Sequence, residues 1–165
     1  MGLDRIDREI AGFMRRIGEP ALRISLAVVF IWFGLLKPLG FSPAADLVRQ
    51  TVTWMPFLTP DGWLDVIGWW EVAIGMTFLF RRTIRIAIAL MAMQMVGTFL
   101  PLVMLPEVTF QPGRAPWALT IEGQYIIKNI LIISAALVIG GTVRRGAAGD
   151  GPRPATAGEE AGPAP

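Results

Sequence analysis

The chain has 165 residues, of which 53% are hydrophobic and 17% are charged, and its mean hydropathy is +0.54. A soluble domain carries about a quarter charged residues, so this composition favours an integral membrane protein. The sequence contains no Cys and no His, which excludes disulfides, thiol redox chemistry, Cys-ligated metals and Ser–His catalytic triads. No metal site is expected, and a formal net charge of only +2 gives no indication of a nucleic-acid partner.

The first element in chain order is an N-terminal amphipathic segment, residues 1–19. Its apolar residues recur at helical spacing, and most of its arginines fall elsewhere on the helix; the apolar positions are Leu3, Ile6, Ile10, Phe13 and Ile17. This pattern predicts a helix lying on the cytoplasmic surface of a membrane.

Four apolar segments follow, and each is long enough to cross a bilayer, which requires about 20 residues. They cover residues 20–39, 62–80, 83–105 and 120–141. Pro and Gly residues mark their ends, and Pro101 is expected to kink the third. We therefore predict an all-α fold, a four-transmembrane-helix bundle over residues 20–141. The expected partners of this bundle begin with the lipid bilayer that surrounds it. The last segment, 142–165, is mostly Gly, Ala and Pro, which predicts a disordered cytoplasmic tail.

The arginines predict the orientation of these spans. Of the 13 arginines, only Arg49 and Arg114 lie in the loops after the first and third spans. The other eleven lie before or at the start of the first span, between the second and third, or after the fourth. Because basic residues accumulate on the cytoplasmic side, we expect a multi-pass protein with both termini in the cytoplasm.

Polar residues within three spans are predicted to reach a common depth. Glu71 lies in the second span, Gln94 in the third, and Lys128 and Asn129 in the fourth. Each ionisable group at mid-bilayer costs about 2.5–3.5 kcal/mol, so it requires a partner or a function. Lys37, nearer the outer surface, is the only other lysine of the chain.

Two interpretations of this polar layer are open. In the first, Glu71 and Lys128 form an ion pair that merely fixes the register of the helices. In the second, they form a ligand or proton site in which Glu71 accepts, Lys128 donates, and Gln94 and Asn129 orient the ligand. No catalytic residue is identified. Trp32, Trp69 and Trp70 either line a cavity for a flat apolar ligand such as a quinone or pack against lipid and neighbouring helices.

Helical phase predicts which face of the second span is turned inward. Gly68, Glu71 and Gly75 lie on one face of that helix. Small residues beside Glu71 would let another helix approach closely.

Three motifs in chain order carry a resemblance to a known family. They are Phe33-Gly34-Leu35-Leu36-Lys37 at the end of the first span, Trp70-Glu71-Val72-Ala73-Ile74-Gly75 in the second, and Glu122-Gly123-Gln124-Tyr125-Ile126-Ile127-Lys128-Asn129 in the fourth. Together with four spans in a short chain, they resemble the DoxX-like membrane proteins, particularly the YkgB-type branch. Relatives often have Asp after the fourth-span Lys, where this chain has Asn129.

The resemblance implies a four-helix protein of the bacterial inner membrane. It also implies a membrane subunit or accessory protein in a redox or oxidative-stress process, for which no cofactor is evident in the chain itself. Without Cys or His, a quinone or a membrane or peripheral protein partner would carry the electrons. Two alternatives remain: a small transporter or proton-coupled channel that uses Glu71 and works as a homo-oligomer, and a purely structural membrane scaffold. On its own, the chain is not expected to be an enzyme.

Overall fold

The computed structural model describes residues 2–113 and 117–148, with side chains described for 4–113 and 117–142. Within this part of the chain the structure is mostly helical and has no β-strand beyond an isolated antiparallel bridge between Phe110 and Leu119. Its helices are α1 (Gly2–Leu36), α2 (Ala45–Thr51), α3 (Pro60–Leu79), α4 (Ile84–Phe99), α5 (Pro101–Met104), α6 (Pro106–Thr109) and α7 (Ile121–Ala148).

Three helical segments are long and apolar enough to cross a membrane: Asp4–Leu36, Arg81–Met104 and Ile121–Thr142. They correspond to the first, third and fourth predicted spans, and they indicate a membrane protein. The second predicted span corresponds to α3, which has 20 residues. It is not among these three segments, and it contains Asp61, Asp65 and Glu71.

Helix α1 differs from the sequence prediction, because the amphipathic segment and the first span form one continuous helix of 35 residues. At 1.5 Å per residue it is about 52 Å long, well beyond a hydrocarbon core of about 30 Å. Pro20 lies inside it and does not end it. A proline deprives the carbonyl four residues earlier of its partner. Here that residue is Arg16, which is exposed, so water can hydrate the carbonyl.

The apolar core lies where α1, α3, α4 and α7 meet. The rings of Phe30 and Phe78 stack there with their centroids 6.5 Å apart. Other core residues are Leu26, Ala27, Ile74, Ile84, Ala87, Met91, Met95, Ala136 and Ile139. A tight 3₁₀ turn, Arg81–Thr83, connects α3 to α4, and the Thr83 hydroxyl donates a 2.6 Å hydrogen bond to the Thr77 carbonyl.

The third span is interrupted near Pro101, where the sequence predicts a kink. Helix α4 ends at Phe99, and Pro101 is the first residue of α5. The N–H of Leu100 bonds to the carbonyl of Gly97 at 3.3 Å, the tighter pattern that ends many helices. The C-terminal part of this span is therefore a separate short helix.

Helix α7 begins after a short bridged loop and is the most peripheral of the long helices. The backbone N–H of Gly123 donates a 3.1 Å hydrogen bond to the Thr120 hydroxyl at its start. The helix continues through Ala148, so residues 142–148, which the composition assigned to the tail, are helical. The remainder of the predicted tail, 149–165, lies outside the described residues.

Candidate functional site

The candidate site is built on a close contact between the antiparallel helices α1 and α3. A Cβ atom placed on Gly34 would lie 2.8 Å from the carbonyl oxygen of Gly68 and 2.9 Å from the Cβ of Glu71. A Cβ on Gly68 would lie 2.8 Å from the carbonyl oxygen of Gly34, and one on Gly75 would lie 2.7 Å from that of Ala27. The inward face predicted for Gly68, Glu71 and Gly75 is thus confirmed. Glycine lets the two backbones approach this closely.

Lys37 and Glu71 form a buried ion pair at the end of this contact nearest the C-terminus of α1. Lys37 Nζ donates a hydrogen bond to Glu71 Oε2, and the side chains are only 7% and 14% exposed. Lys37 Nζ also lies 3.4 Å from the carbonyl oxygen of Phe33, one of the last carbonyls of α1. A cation at this position is further stabilised by the negative end of the helix dipole.

Gln94 brings a third helix to the same carboxylate. Its Nε2 donates a 3.0 Å hydrogen bond to Glu71 Oε1, so both carboxylate oxygens are engaged. Trp70, the residue before Glu71, bonds to α4 one turn before Gln94: its Nε1 donates a 3.3 Å hydrogen bond to the Leu90 carbonyl. Lys37, Glu71 and Gln94, hereafter the polar cluster, therefore connect α1, α3 and α4 through one carboxylate.

The partner of Glu71 differs from the one that the sequence suggested. Lys128 is exposed, and its Nζ lies 5.0 Å from the centroid of the Tyr125 ring. Asn129 Nδ2 donates to two carbonyls of its own helix, those of Tyr125 at 3.0 Å and Ile126 at 3.1 Å. The structure thus brings together three of the five predicted site residues and leaves Lys128 and Asn129 on α7.

Within the described residues, Glu71 pairs with Lys37 and not with Lys128 because α3 packs mainly against α1 and not against α7. The glycine face of α3 packs on α1, whereas α7 packs on α4, α1 and α6. Glu71 therefore meets the lysine of α1. A signal for this pairing is present in the sequence, because Gly34 precedes Lys37 by three residues and Gly68 precedes Glu71 by three. Two such motifs on antiparallel helices place each glycine beside the other helix's charged residue.

Two apolar grooves lie on the described part of the chain, and neither is lined by a residue of the polar cluster. One groove of about 430 Å³ lies along α1 and is lined by Val28, Ile31, Trp32, Leu35, Leu36 and Leu39. The other, of about 420 Å³, lies between α4, α5 and α7. Of the three tryptophans considered for a quinone, only Trp32 borders a groove, while Trp70 is bonded to α4 and Trp69 is exposed.

The described residues contain no group of three or more Asp, Glu, His or Cys side chains that could hold a metal ion. The chemistry available at the polar cluster is therefore that of one carboxylate, one ammonium and one amide. These groups can hold helices together, exchange a proton, or bind a small polar group if the ion pair opens.

Comparison of the chain with models of protein families, with curated proteins and with solved structures gave no match. The assignment of a function therefore depends on the sequence patterns and the geometry described above.

Proposed function

We propose that the chain is a four-span protein of the bacterial inner membrane and acts as a non-catalytic, DoxX-like subunit or accessory protein in a redox or oxidative-stress process. The observation that carries the non-catalytic part of this proposal is the internal pairing of Glu71, while the DoxX-like part rests on the three motifs in the first, second and fourth predicted spans. Each oxygen of Glu71 accepts a hydrogen bond from within the chain. A buried carboxylate whose cation and amide partners both come from its own chain favours a structural role over a catalytic one.

Helix α3, which corresponds to the second predicted span, would cross the membrane in addition to the three membrane-length segments. Its contact with α1 runs from Gly75 to Gly68, and its buried acid is neutralised by Lys37. Neutralising and hydrogen-bonding a charge lowers the cost of placing it at membrane depth. The polar cluster therefore supports a membrane position for a helix that would be marginal by hydropathy alone.

The distribution of charge supports an orientation with both termini in the cytoplasm. Arg81 lies in the turn between α3 and α4, and its Nη2 is 3.3 Å from Oε1 of Glu19, in the N-terminal half of α1. This ion pair joins two arginine-rich regions at one end of the molecule. By the positive-inside rule, that end would face the cytoplasm.

In this proposal the redox group belongs to a partner protein or to a bound quinone. The groove beside Trp32 is the surface that would accept a quinone, because it is apolar and has an aromatic wall. Trp54 offers a matched control, since it is similarly exposed but does not border the groove.

The test is gentle purification from bacterial membranes followed by mass spectrometry of proteins and small molecules. We expect a redox protein or a quinone to co-purify in near-stoichiometric amount. If the quinone is the partner, Trp32→Ala should lower its occupancy at least severalfold, whereas Trp54→Ala should not. Recovery of the chain with neither a redox protein nor a quinone would contradict the proposal.

A proton-coupled transporter is the second candidate, because Glu71 is a membrane-buried carboxylate that keeps 14% exposure. The double variant Lys37→Met/Glu71→Gln separates the two candidates. A structural role for the pair predicts that the double variant keeps function in cells. Loss of function in a stably inserted double variant would favour transport.

A further inference from the structure

The outer third of α7 presents a polar face that the chain itself does not cover. Glu122, Gln124, Tyr125 and Lys128 are all exposed, although they lie in a helix that is apolar enough to cross a membrane. Lys128 follows the first residue of the helix by seven positions, which places it about 11 Å below that end. Among the described residues, no carboxylate forms a salt bridge with Lys128.

Helix α3 presents the opposite charge at a similar depth. Asp65 is exposed and lies five residues after the start of the helix, or about 8 Å below it. Its neighbours on the outward face include Val66 and Trp69, which are 44% and 58% exposed. Within the described part of the chain, Asp65 has no ion pair either.

These two charged faces point away from each other. Helix α3 packs mainly on α1 and α4, and α7 packs on α4, α1 and α6, so α3 and α7 occupy diagonal positions. Asp65 and Lys128 of one molecule therefore cannot meet. An interface that joins two different faces of identical molecules is heterologous, and repeated contacts of this kind form a ring or an open chain.

We propose that copies of this chain assemble head to tail in the membrane, with the α7 face of one copy against the α3 face of the next and Lys128 paired with Asp65 of the neighbour. The two faces carry complementary charges at similar distances below the starts of their helices. A membrane-embedded charge without a partner is costly, and a neighbour's opposite charge removes much of that cost. Tyr125 and Trp69 supply large aromatic surfaces beside the two charges, as is common in interfaces.

Lipid is the competing occupant of both faces. Lys128 has a long side chain that could extend toward the outer headgroups. Asp65 has a short side chain, so it cannot reach the membrane surface in the same way. A second copy accounts for both residues at once, whereas lipid accounts only for the lysine.

The first experiment is a charge exchange with the full chain in lipid nanodiscs or native membranes, where native mass spectrometry or stepwise photobleaching counts the copies. We expect the wild type to be oligomeric. Asp65→Lys alone and Lys128→Asp alone should each weaken association at least about tenfold, and the double exchange should restore it. A monomeric wild type, or a double exchange that stays dissociated, would overturn the proposal.

The second experiment uses the absence of cysteine from the chain. Copies carrying Asp65→Cys and copies carrying Lys128→Cys, with different tags, are co-expressed and oxidised in membranes. Head-to-tail packing predicts a disulfide between the two kinds of copy, since the Cα atoms must approach within about 7 Å. Ile130→Cys replaces Lys128→Cys in the control, because Ile130 is 50% exposed but lies on the other side of α7. Cross-links only between like copies would show a different, symmetric interface and refute the proposal.

Discussion

The α1–α3 contact and helix α7 each hold a lysine in or beside a membrane-length helix, and they accommodate its charge differently. Lys37 directly follows the segment that ends at Leu36, and Lys128 lies inside the segment Ile121–Thr142. In the first, glycines bring two backbones together and Lys37 is 7% exposed and paired with Glu71. In the second, Lys128 is exposed and its Nζ lies 5.0 Å from the centroid of the Tyr125 ring.

This difference shows that the location of a charge in the sequence does not determine its role. Lys37 is held at the C-terminal end of α1 by a carboxylate and a backbone carbonyl, so its interactions are completed within the chain. The cation of Lys128 has no such partners among the described residues and is available to another molecule.

The largest effect is expected from separating the buried ion pair. Lys37→Met leaves Glu71 charged and without its cation, and Glu71→Gln leaves Lys37 without its anion. Removing one partner of a buried pair typically costs about 3–5 kcal/mol, so each single variant should lose folded protein in a detergent stability assay. The double variant Lys37→Met/Glu71→Gln should recover most of the loss.

Lys128→Met is the matched control, because it removes the other lysine of the chain from an exposed position. It should leave the thermal stability of the detergent-solubilised monomer unchanged. If Lys128→Met destabilised the monomer as much as Lys37→Met, the contrast between the two lysines would be wrong.

The next effect is expected from filling the close contact between α1 and α3. In Gly68→Ala the new methyl group would lie 2.8 Å from the Gly34 carbonyl oxygen and 2.8 Å from Cδ of Pro38. Backbone atoms cannot move aside as a flexible side chain can, so we expect a loss of about 3 kcal/mol in unfolding free energy. Gly97→Ala is the control, since no atom lies within 4 Å of its Cβ position. Equal stability of the two variants would contradict the packing.

A smaller effect is expected from removing the amide of the polar cluster. Gln94→Leu deletes the 3.0 Å hydrogen bond to Glu71 Oε1 but leaves the ion pair with Lys37. Hydrogen bonds to charged groups contribute about 1.5–3 kcal/mol, and we expect the lower value because Lys37 still neutralises the carboxylate. In the Lys37→Met/Glu71→Gln background, Gln94→Leu should lower the free energy of unfolding by much less than in the wild type. An equal loss in both backgrounds would show that Gln94 stabilises the protein through a group other than Glu71.

The smallest effect is expected at the exposed pair between α2 and α3. Hydrogen bonds with Asp61, and then Asp46, raise the pKa of Arg49 above its ordinary value. When folding raises the pKa of a basic group, the group's contribution to the free energy of unfolding is fully present at pH values below its ordinary, unfolded-state pKa. This contribution is lost only as the pH rises through the higher, folded-state pKa. Arg49→Gln should therefore change stability little, show no pH dependence near neutrality, and matter even less in high salt. A large loss, measured by thermal unfolding at low and high salt, would indicate an additional role for α2.

Much of the helical architecture follows from local patterns. Long apolar runs need intrachain hydrogen bonding, and helices provide it, so the spans matching α1, α4–α5 and α7 could be predicted from composition and length. Pro101 predicted a kink in the third span because it lacks an N–H, and the structure has a break there. Pro20 shows the limit of the same rule, since Arg16, whose carbonyl it leaves without a partner, is exposed and the helix continues.

The sequence by itself determined that this protein has no thiol or imidazole chemistry, that it has helices of membrane length, and that a few ionisable groups lie within them. These properties depend on residue type and on spacing along one helix. Only the tertiary structure decided that Glu71 pairs with Lys37 and that Lys128 remains on an outer face. The physical reason is that a buried ion pair depends on which helices touch, and here the glycines set that contact.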